Sequence, residues 1–205
     1  MDIKILAIGS LDKKYLVIGC ETFLERIKHY AKLEIIELKE VNNKTEQVTI
    51  NEQTALVIKK LLDYPEYYKI LLASQGQILT SEQIAAYITE VKDFKKAKLL
   101  FIIGGSHGFN NNELLPKVNF HLSFGAITLP HQLCRLVLLE QIYRSFKIIN
   151  NEIYHKVILK KEQPDYIFLV LVLFLFWRAC SIIAIFRFRA NSDKAFVFFS
   201  NNNWR

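Results

Sequence analysis

The chain has 205 residues, of which 51% are hydrophobic, and it carries a formal net charge of +7. This composition excludes a wholly disordered chain and predicts one domain with an appendage, or two small domains. The charge is weak evidence for nucleic-acid binding by the main part of the chain, because residues 1–156 contain 20 Lys and Arg against 17 Asp and Glu. Three widely spaced cysteines predict no disulfide framework and favour a reducing cytoplasm.

Strand and helix patterns alternate through residues 1–156. Short apolar runs predict five strands, at residues 3–8, 33–38, 69–72, 98–103 and 120–124. Apolar residues at helical spacing predict four helices, at residues 12–30, 51–62, 81–94 and 130–149. We expect Asn51 to cap the second helix, Thr80 or Ser81 to cap the third, and Pro130 to open the last. The alternation predicts an α/β fold with a mostly parallel sheet of five to six strands and helices on both faces.

The last predicted helix is apolar on more than one side. Its large apolar residues are Leu133, Leu136, Val137, Leu138, Leu139, Ile142, Tyr143 and Phe146. A monomer would not easily bury all of them, which favours a dimer interface. The alternative is a helix in the centre of the core.

Three glycine-containing segments follow predicted strands, where ligands bind in an open α/β sheet. They are LASQG at residues 72–76, GGSHG at 104–108 and FGAITL at 124–129. Each glycine alone is explained as well by a simple turn. No Rossmann fingerprint opens the first helix, and no P-loop or GxSxG motif occurs. The five histidines are scattered, so we expect no metal site.

Basic side chains cluster at the start of the last predicted helix. His131 and Arg135 share a face at i, i+4 spacing. A helix N-terminus with such residues suits an anion such as an RNA phosphate. Ordinary solvation of a helix is the alternative, and it is nearly as good an explanation for Arg144 and Lys147 farther along.

Three blocks carry a resemblance to a known family. They read IKILAIGSLDKKY, FIIGGSHG and LSFGAITLPHQLCRLVLLEQIYRSFKIINNEIYHK. In order and spacing they resemble ribosomal RNA large subunit methyltransferase H, of the SPOUT α/β-knot class, over almost all of residues 1–156. The resemblance implies a cytoplasmic homodimer with a C-terminal trefoil knot. It also implies transfer of a methyl group from S-adenosylmethionine to N3 of a pseudouridine in 23S rRNA of assembled ribosomes.

The resemblance implies a cofactor pocket made by loops of the knot. Carried over position by position, it consists of Leu72, Gly104, Phe124, Gly125, Ala126, Ile127, Thr128 and Leu129. There are departures: Ala73 stands where relatives often have an acidic residue, and residues 41–53 are hard to match.

Methyl transfer is an in-line displacement, so most of the catalysis should be positioning. The proton on N3 must also leave, which calls for a base or a donor that stabilises an anion. The candidates are His155, Tyr154 and His131, with Arg135 orienting RNA or stabilising charge. We expect Arg135→Ala and His155→Ala to impair turnover more than cofactor binding.

The composition changes after Lys156, which predicts one domain at residues 1–156 and a hydrophobic extension at 157–205, and the resemblance implies that the first of these is a SPOUT methyltransferase domain. Residues 166–186 are as long as a membrane span, although Arg178 interrupts them. The extension is either a membrane anchor or, as we favour, the product of read-through or frameshifted translation. The alternatives to the rRNA enzyme are a tail-anchored or inactive remnant that binds cofactor or RNA, and a SPOUT methyltransferase acting on tRNA.

Overall fold

The computed structural model describes residues 1–41 and 45–154. The strands are β1 Asp2–Ile8, β2 Lys32–Leu38, β3 Tyr68–Ile78, β4 Lys98–Ile103 and β5 Phe120–Ser123. The helices are α1 Lys14–Ile27, α2 Glu46–Leu61, α3 Ser81–Phe94, α4 Asn111–Leu114 and α5 His131–Ile149, with a 3-10 turn at Leu115–Lys117.

The five strands form one sheet in the order β2-β1-β4-β3-β5, and every pairing between them is parallel. At the centre, Ile5 of β1 pairs with Ile35 on one side and with Phe101 on the other. Parallel strands need long crossover connections, which the helices provide. This architecture confirms the predicted mostly parallel α/β fold, whereas the trefoil knot stays a prediction.

Two hydrophobic clusters cover the two faces of the sheet. Alternate residues of β1 divide between them, because successive side chains of a strand point to opposite faces. Ile5 packs into the cluster that includes Leu139 of α5, and Leu6 packs into the cluster that includes Val57 of α2. Each such side chain is fully buried, which stabilises the fold by about 1.5–3 kcal/mol per residue. Helices therefore cover both faces, as predicted.

The N-terminal caps differ partly from the predictions. Thr80 caps α3 through a capping box: its side chain accepts from the backbone N–H of Gln83 at 3.3 Å, and the Gln83 side chain accepts from the backbone N–H of Thr80 at 2.8 Å. The prediction of Asn51 as the cap of the second helix is wrong, because α2 begins at Glu46 after Thr45. The extra turn brings Thr49 into the buried face of the helix, and this packing outweighs the capping preference of Asn51.

Strand β3 is longer than the apolar run that predicted it. The run ends at Leu72, but the strand continues to Ile78 because it pairs with β5 again after an irregularity. Helix α1 is shorter than predicted, and α5 begins directly after Pro130.

Within the described residues, no helix is long and apolar enough to cross a membrane. Residues 166–186 and the whole of the predicted extension lie outside the described residues, so both explanations of the extension stay open.

Candidate active site

A bulge in β3 builds one wall of a cavity at the carboxyl edge of the sheet. Leu72 and Gln77 both lie opposite Leu122 of β5, so residues 73–76 loop out between them. Gly76 is needed at this place, because a Cβ atom there would lie 2.7 Å from the carbonyl carbon of Leu122. Real Cβ atoms do not approach a backbone atom so closely, and only glycine lets the bulge lie against β5.

Ser123 joins this bulge to the loop that follows β5. Its side chain is buried, and its hydroxyl lies 3.2 Å from the carbonyl oxygen of Ser74 and 3.1 Å from that of Gly125. The same oxygen accepts from the backbone N–H of Gly125 at 3.2 Å. Gly125 has a φ of +117°, which favours glycine. The hydroxyl therefore holds two of the three glycine-containing segments together.

The three segments and the start of α5 enclose a cavity of about 340 Å³. This volume is in the range of small-molecule sites, which is about 300–1,000 Å³. Seven of the eight predicted cofactor-binding residues line it: Leu72, Gly104, Phe124, Gly125, Ile127, Thr128 and Leu129. Ala126 is not among the lining residues. The structure thus brings together residues as far apart in sequence as Leu72 and Leu129.

The cavity wall combines apolar and polar side chains. Leu72, Leu122 and Phe124 provide apolar surface, and Gln75 and Thr128 provide hydrogen-bonding groups. No Asp, Glu, Lys or Arg of the described residues lines it. Backbone groups, the imidazoles of His107 and His131, amide and hydroxyl side chains and shape are therefore available to recognise a ligand here.

Comparison with known proteins identifies the family of the chain that forms this cavity. Residues 1–155 match the family model described as a predicted SPOUT methyltransferase. The chain is 46% identical to ribosomal RNA large subunit methyltransferase H of Mycoplasma mycoides over 157 residues, which is 76% of this chain and 100% of that protein. The proteins of the same name from Mycoplasma capricolum and Carboxydothermus hydrogenoformans are 45% and 42% identical, with the same coverage of both chains.

This chain belongs to the ribosomal RNA large subunit methyltransferase H family. The match confirms the resemblance carried by the sequence motifs and the prediction of an enzyme of the SPOUT methyltransferase class. Because 100% of each relative aligns with only 76% of this chain, the family likeness lies in the part of the chain that forms the sheet and the cavity.

The candidate catalytic side chains of this family member lie in different surroundings. His131, the first residue of α5, lines the cavity. It also lies beside Gly9 at the end of β1, where a Cβ atom would be 3.7 Å from its Nε2. His155 lies outside the described residues, and its role stays a prediction.

Arg135 is held inside the protein and is not among the residues that line the cavity. Its side chain is 1% exposed, and its guanidinium donates to a carboxylate oxygen of Glu37 and, at 2.8 Å, to the carbonyl oxygen of Gly9. Gly9 has a φ of +80° and ends β1. In this structure Arg135 therefore joins α5 to the ends of β1 and β2, and its predicted role toward RNA is untested.

Tyr154, which follows α5, belongs to a polar group that includes side chains from the later part of that helix. Its hydroxyl donates to Glu140 at 3.1 Å, and Arg144 donates to the same carboxylate at 2.9 Å from Nε while stacking over the Tyr154 ring at 4.9 Å. Burial and the nearby Glu140 carboxylate raise the pKa of Tyr154. Lys147 pairs with Glu152, and the hydrogen bond to this carboxylate raises the pKa of Lys147.

The sequence predictions missed three polar residues of the cavity, Asn111, Ser123 and Cys134. All three line it, and burial raises the pKa of the Cys134 thiol to about 11. Cys134 follows His131 by three residues, so helical spacing alone could have placed the two side chains on one face. Ser123 could have been suspected as a polar residue at the end of an apolar strand.

Proposed function

We propose that this protein transfers a methyl group from S-adenosylmethionine to N3 of a pseudouridine in 23S rRNA within assembled ribosomes. One observation carries the proposal: the positions that the family resemblance assigns to the cofactor converge on one cavity, in a chain that aligns with the full length of relatives named as large-subunit rRNA methyltransferases.

The lining of the cavity suits the proposed cofactor. The apolar wall at Leu72 and Phe124 offers surface for an adenine ring, and the polar groups at Gln75 and Thr128 can bind hydroxyl or amino groups. Gly104 lines the cavity with backbone atoms, and a Cβ atom there would lie 3.1 Å from the Phe109 ring. When bound, S-adenosylmethionine supplies a methyl group on a positively charged sulfur. The remaining chemistry falls to the protein.

The protein's own groups must orient the base and accept its proton. We assign proton acceptance from N3 to the imidazole of His131, which lies in the cavity wall. The Tyr154 hydroxyl already donates to Glu140, and burial and this carboxylate raise its pKa, so Tyr154 is not suited to act as the base. His155 remains the alternative acceptor. Positioning of the methyl carbon against N3 provides the larger part of the rate increase.

We further propose that the protein acts as a homodimer in the cytoplasm, where assembled ribosomes are found. Helix α1 supports the dimer, because Tyr15 and Ile18 lie one turn apart and are 69% and 53% exposed. Nearby, α1 packs closely on α5, since a Cβ atom on Gly19 would lie 3.0 Å from a methyl carbon of Leu136. A dimer interface formed by these two helices would bury Tyr15 and Ile18 against a second copy of the chain.

The test is transfer of a labelled methyl group from S-adenosylmethionine to ribosomes that lack the modification. The full chain and residues 1–156 are assayed in parallel, and nuclease digestion followed by mass spectrometry identifies the modified nucleotide. We expect label on a single pseudouridine of 23S rRNA. His131→Gln should retain cofactor binding, measured by calorimetry, and lower the transfer rate about 100-fold, which is the lower range for loss of a general base.

The possible outcomes separate the components of the proposal. Label on tRNA, with none on 23S rRNA, would contradict the substrate and leave the reaction type intact. Cofactor binding without transfer to any RNA by either form would contradict the enzyme and favour an inactive binding protein. Activity in residues 1–156 alone would mean that residues 157–205 obstruct the reaction.

A further inference from the structure

We propose that Glu40 is a positioning residue for cofactor binding. It holds the loop formed by residues 104–108, here called the GGSHG loop, from the side that faces away from the cavity. This inference rests on the proposed function, because it assumes that S-adenosylmethionine is the ligand of the cavity. Glu40 is not among the lining residues and does not act on the methyl group or the base.

The first observation is a hydrogen bond between two otherwise separate segments. The hydroxyl of Ser106 donates to Oε1 of Glu40 at 2.7 Å. Glu40 follows the end of β2, whereas Ser106 follows the end of β4, and these strands are not neighbours in the sheet. β1 lies between them, and Gly9 at its end is close to the other carboxylate oxygen, because a Cβ atom there would lie 3.6 Å from Oε2 of Glu40.

The second observation is the close packing around Gly105. A Cβ atom on this residue would lie 3.0 Å from a methyl carbon of Ile8, 3.1 Å from Oε1 of Gln53 and 3.4 Å from Oε1 of Glu40. Gln53 is fully buried, and its side-chain amide donates to the carbonyl oxygen of Val41 at 3.1 Å, next to Glu40 in sequence. The backbone of Gly105 is therefore enclosed by side chains from β1, α2 and the segment after β2.

The two sides of the GGSHG loop have different roles. Gly104, Gly105, His107 and Gly108 line the cavity, whereas Ser106 does not and instead bonds to Glu40. The loop is closed by one backbone hydrogen bond, from the N–H of Gly108 to the carbonyl oxygen of Gly105 at 3.1 Å. A glycine-rich loop is flexible. The hydrogen bond between Ser106 and Glu40 therefore limits the positions that the cavity-facing backbone of the loop can take. Preorganisation of this kind increases ligand affinity without an added contact to the ligand.

The hydrogen bond from Ser106 to Glu40 predicts which substitutions of these two residues will be tolerated. The carboxylate acts as a hydrogen-bond acceptor for the Ser106 hydroxyl. Glu40→Gln keeps the length of the side chain and an acceptor oxygen, whereas Glu40→Ala removes both. Ser106→Ala removes the donor and should reproduce the effect of Glu40→Ala. Because the two residues act through one bond, the double variant should be no worse than either single variant.

The experiment uses the full chain and two measurements. Amide hydrogen exchange of Gly108 in the free protein reports on loop order without any ligand, and calorimetry gives the Kd for S-adenosylmethionine. For Glu40→Ala we expect faster exchange at Gly108, a Kd raised about tenfold and a melting temperature within about 2 °C of the wild type. Glu40→Gln should stay within about threefold of the wild-type Kd. Glu90→Ala, at an exposed position on α3, is the matched control and should change neither measurement.

Each other result overturns the inference. Unchanged exchange and unchanged Kd in Glu40→Ala would show that packing alone holds the loop. Equal loss in the Gln and Ala variants would show that the acceptor oxygen has no role. A Kd that rises only together with a lower melting temperature would make Glu40 a general stabilising residue. If the wild type fails to bind S-adenosylmethionine, the proposed function is contradicted, and the exchange of Gly108 still decides whether Glu40 orders the loop.

Discussion

Replacement of Arg135 by alanine distinguishes a structural role of this residue from its predicted role in catalysis. The substitution removes two charge-assisted hydrogen bonds, to Glu37 and to the carbonyl oxygen of Gly9, and such bonds contribute about 1.5–3 kcal/mol each. Two effects reduce this loss. The guanidinium no longer has to be kept out of water, and the Glu37 side chain is 42% exposed, so water can solvate it again. We expect a net decrease in the free energy of unfolding of about 3 kcal/mol.

The measurement is urea or thermal unfolding of the full chain, with cofactor binding and methyl transfer assayed on the same preparations. A domain of this size loses about 2–4 °C in melting temperature per kcal/mol, so we expect a decrease of about 6–12 °C. Arg135→Lys keeps the charge but lacks the planar guanidinium that donates to both partners, and its free energy of unfolding should decrease by about half as much. The control is Arg26→Ala, because Arg26 is exposed and lies 5.7 Å from the ring centroids of Phe23 and Tyr143. A shift below about 2 °C together with lost transfer would refute this reasoning and support a role toward RNA.

Three further predictions concern the walls of the cavity. Gly76→Ala should lower the free energy of unfolding by about 2 kcal/mol, because the new methyl group would meet the backbone of Leu122; in urea titrations it should cost more than Gly108→Ala, where only the φ of +73° is unfavourable. Ser123→Ala removes the link between the bulge and the loop after β5, and we expect calorimetry to show a Kd for S-adenosylmethionine raised about fivefold. Because burial raises the pKa of Cys134 from 9.0 to about 11, its alkylation, followed by peptide mass spectrometry, should be slow at pH 8, accelerate toward pH 11 and be blocked by the cofactor. The same shift implies that the neutral thiol stabilises the fold fully below pH 9.0, and that this contribution is lost as the pH rises through about 11.

The order and type of the strands and helices could be predicted from the sequence, because buried apolar residues recur with the period of a strand or of a helix. The strand at 98–103 is apolar at every position after Lys98, as expected for a strand covered on both faces, and its bounds agree with those of the structure. The start of α3 was predictable from Thr80, since a threonine three residues before a glutamine forms a local capping box. By contrast, α2 begins at Glu46 and includes Thr49 in its buried face, and the cap assigned to Asn51 from local preference was wrong.

Of the cavity, only the segments that follow the strands could be predicted from the sequence. Parallel strands bring their carboxyl ends to one edge, so the segments after β3, β4 and β5 could be grouped before any geometry was known. The bulge in β3 could not be foreseen, because it depends on the contact of Gly76 with the backbone of β5. The direction in which a side chain points could not be predicted from the sequence either. Arg135 and His131 lie at neighbouring turns of α5, yet one is held in the interior by Glu37 and the other lines the cavity.

The position of β1 in the sheet has a consequence for synthesis of the chain on the ribosome. β1 is the first strand to be made, and its partners are β2, which ends at Leu38, and β4, which ends at Ile103. At about 5–20 residues per second, translation leaves one edge of the nascent β1 without its partner for roughly 3–13 s after β2 is complete. An apolar strand with a free edge pairs readily with other chains. The nascent protein can therefore pair with other chains at this edge until β4 emerges, and a pause in translation between residues 38 and 103 would lengthen that interval.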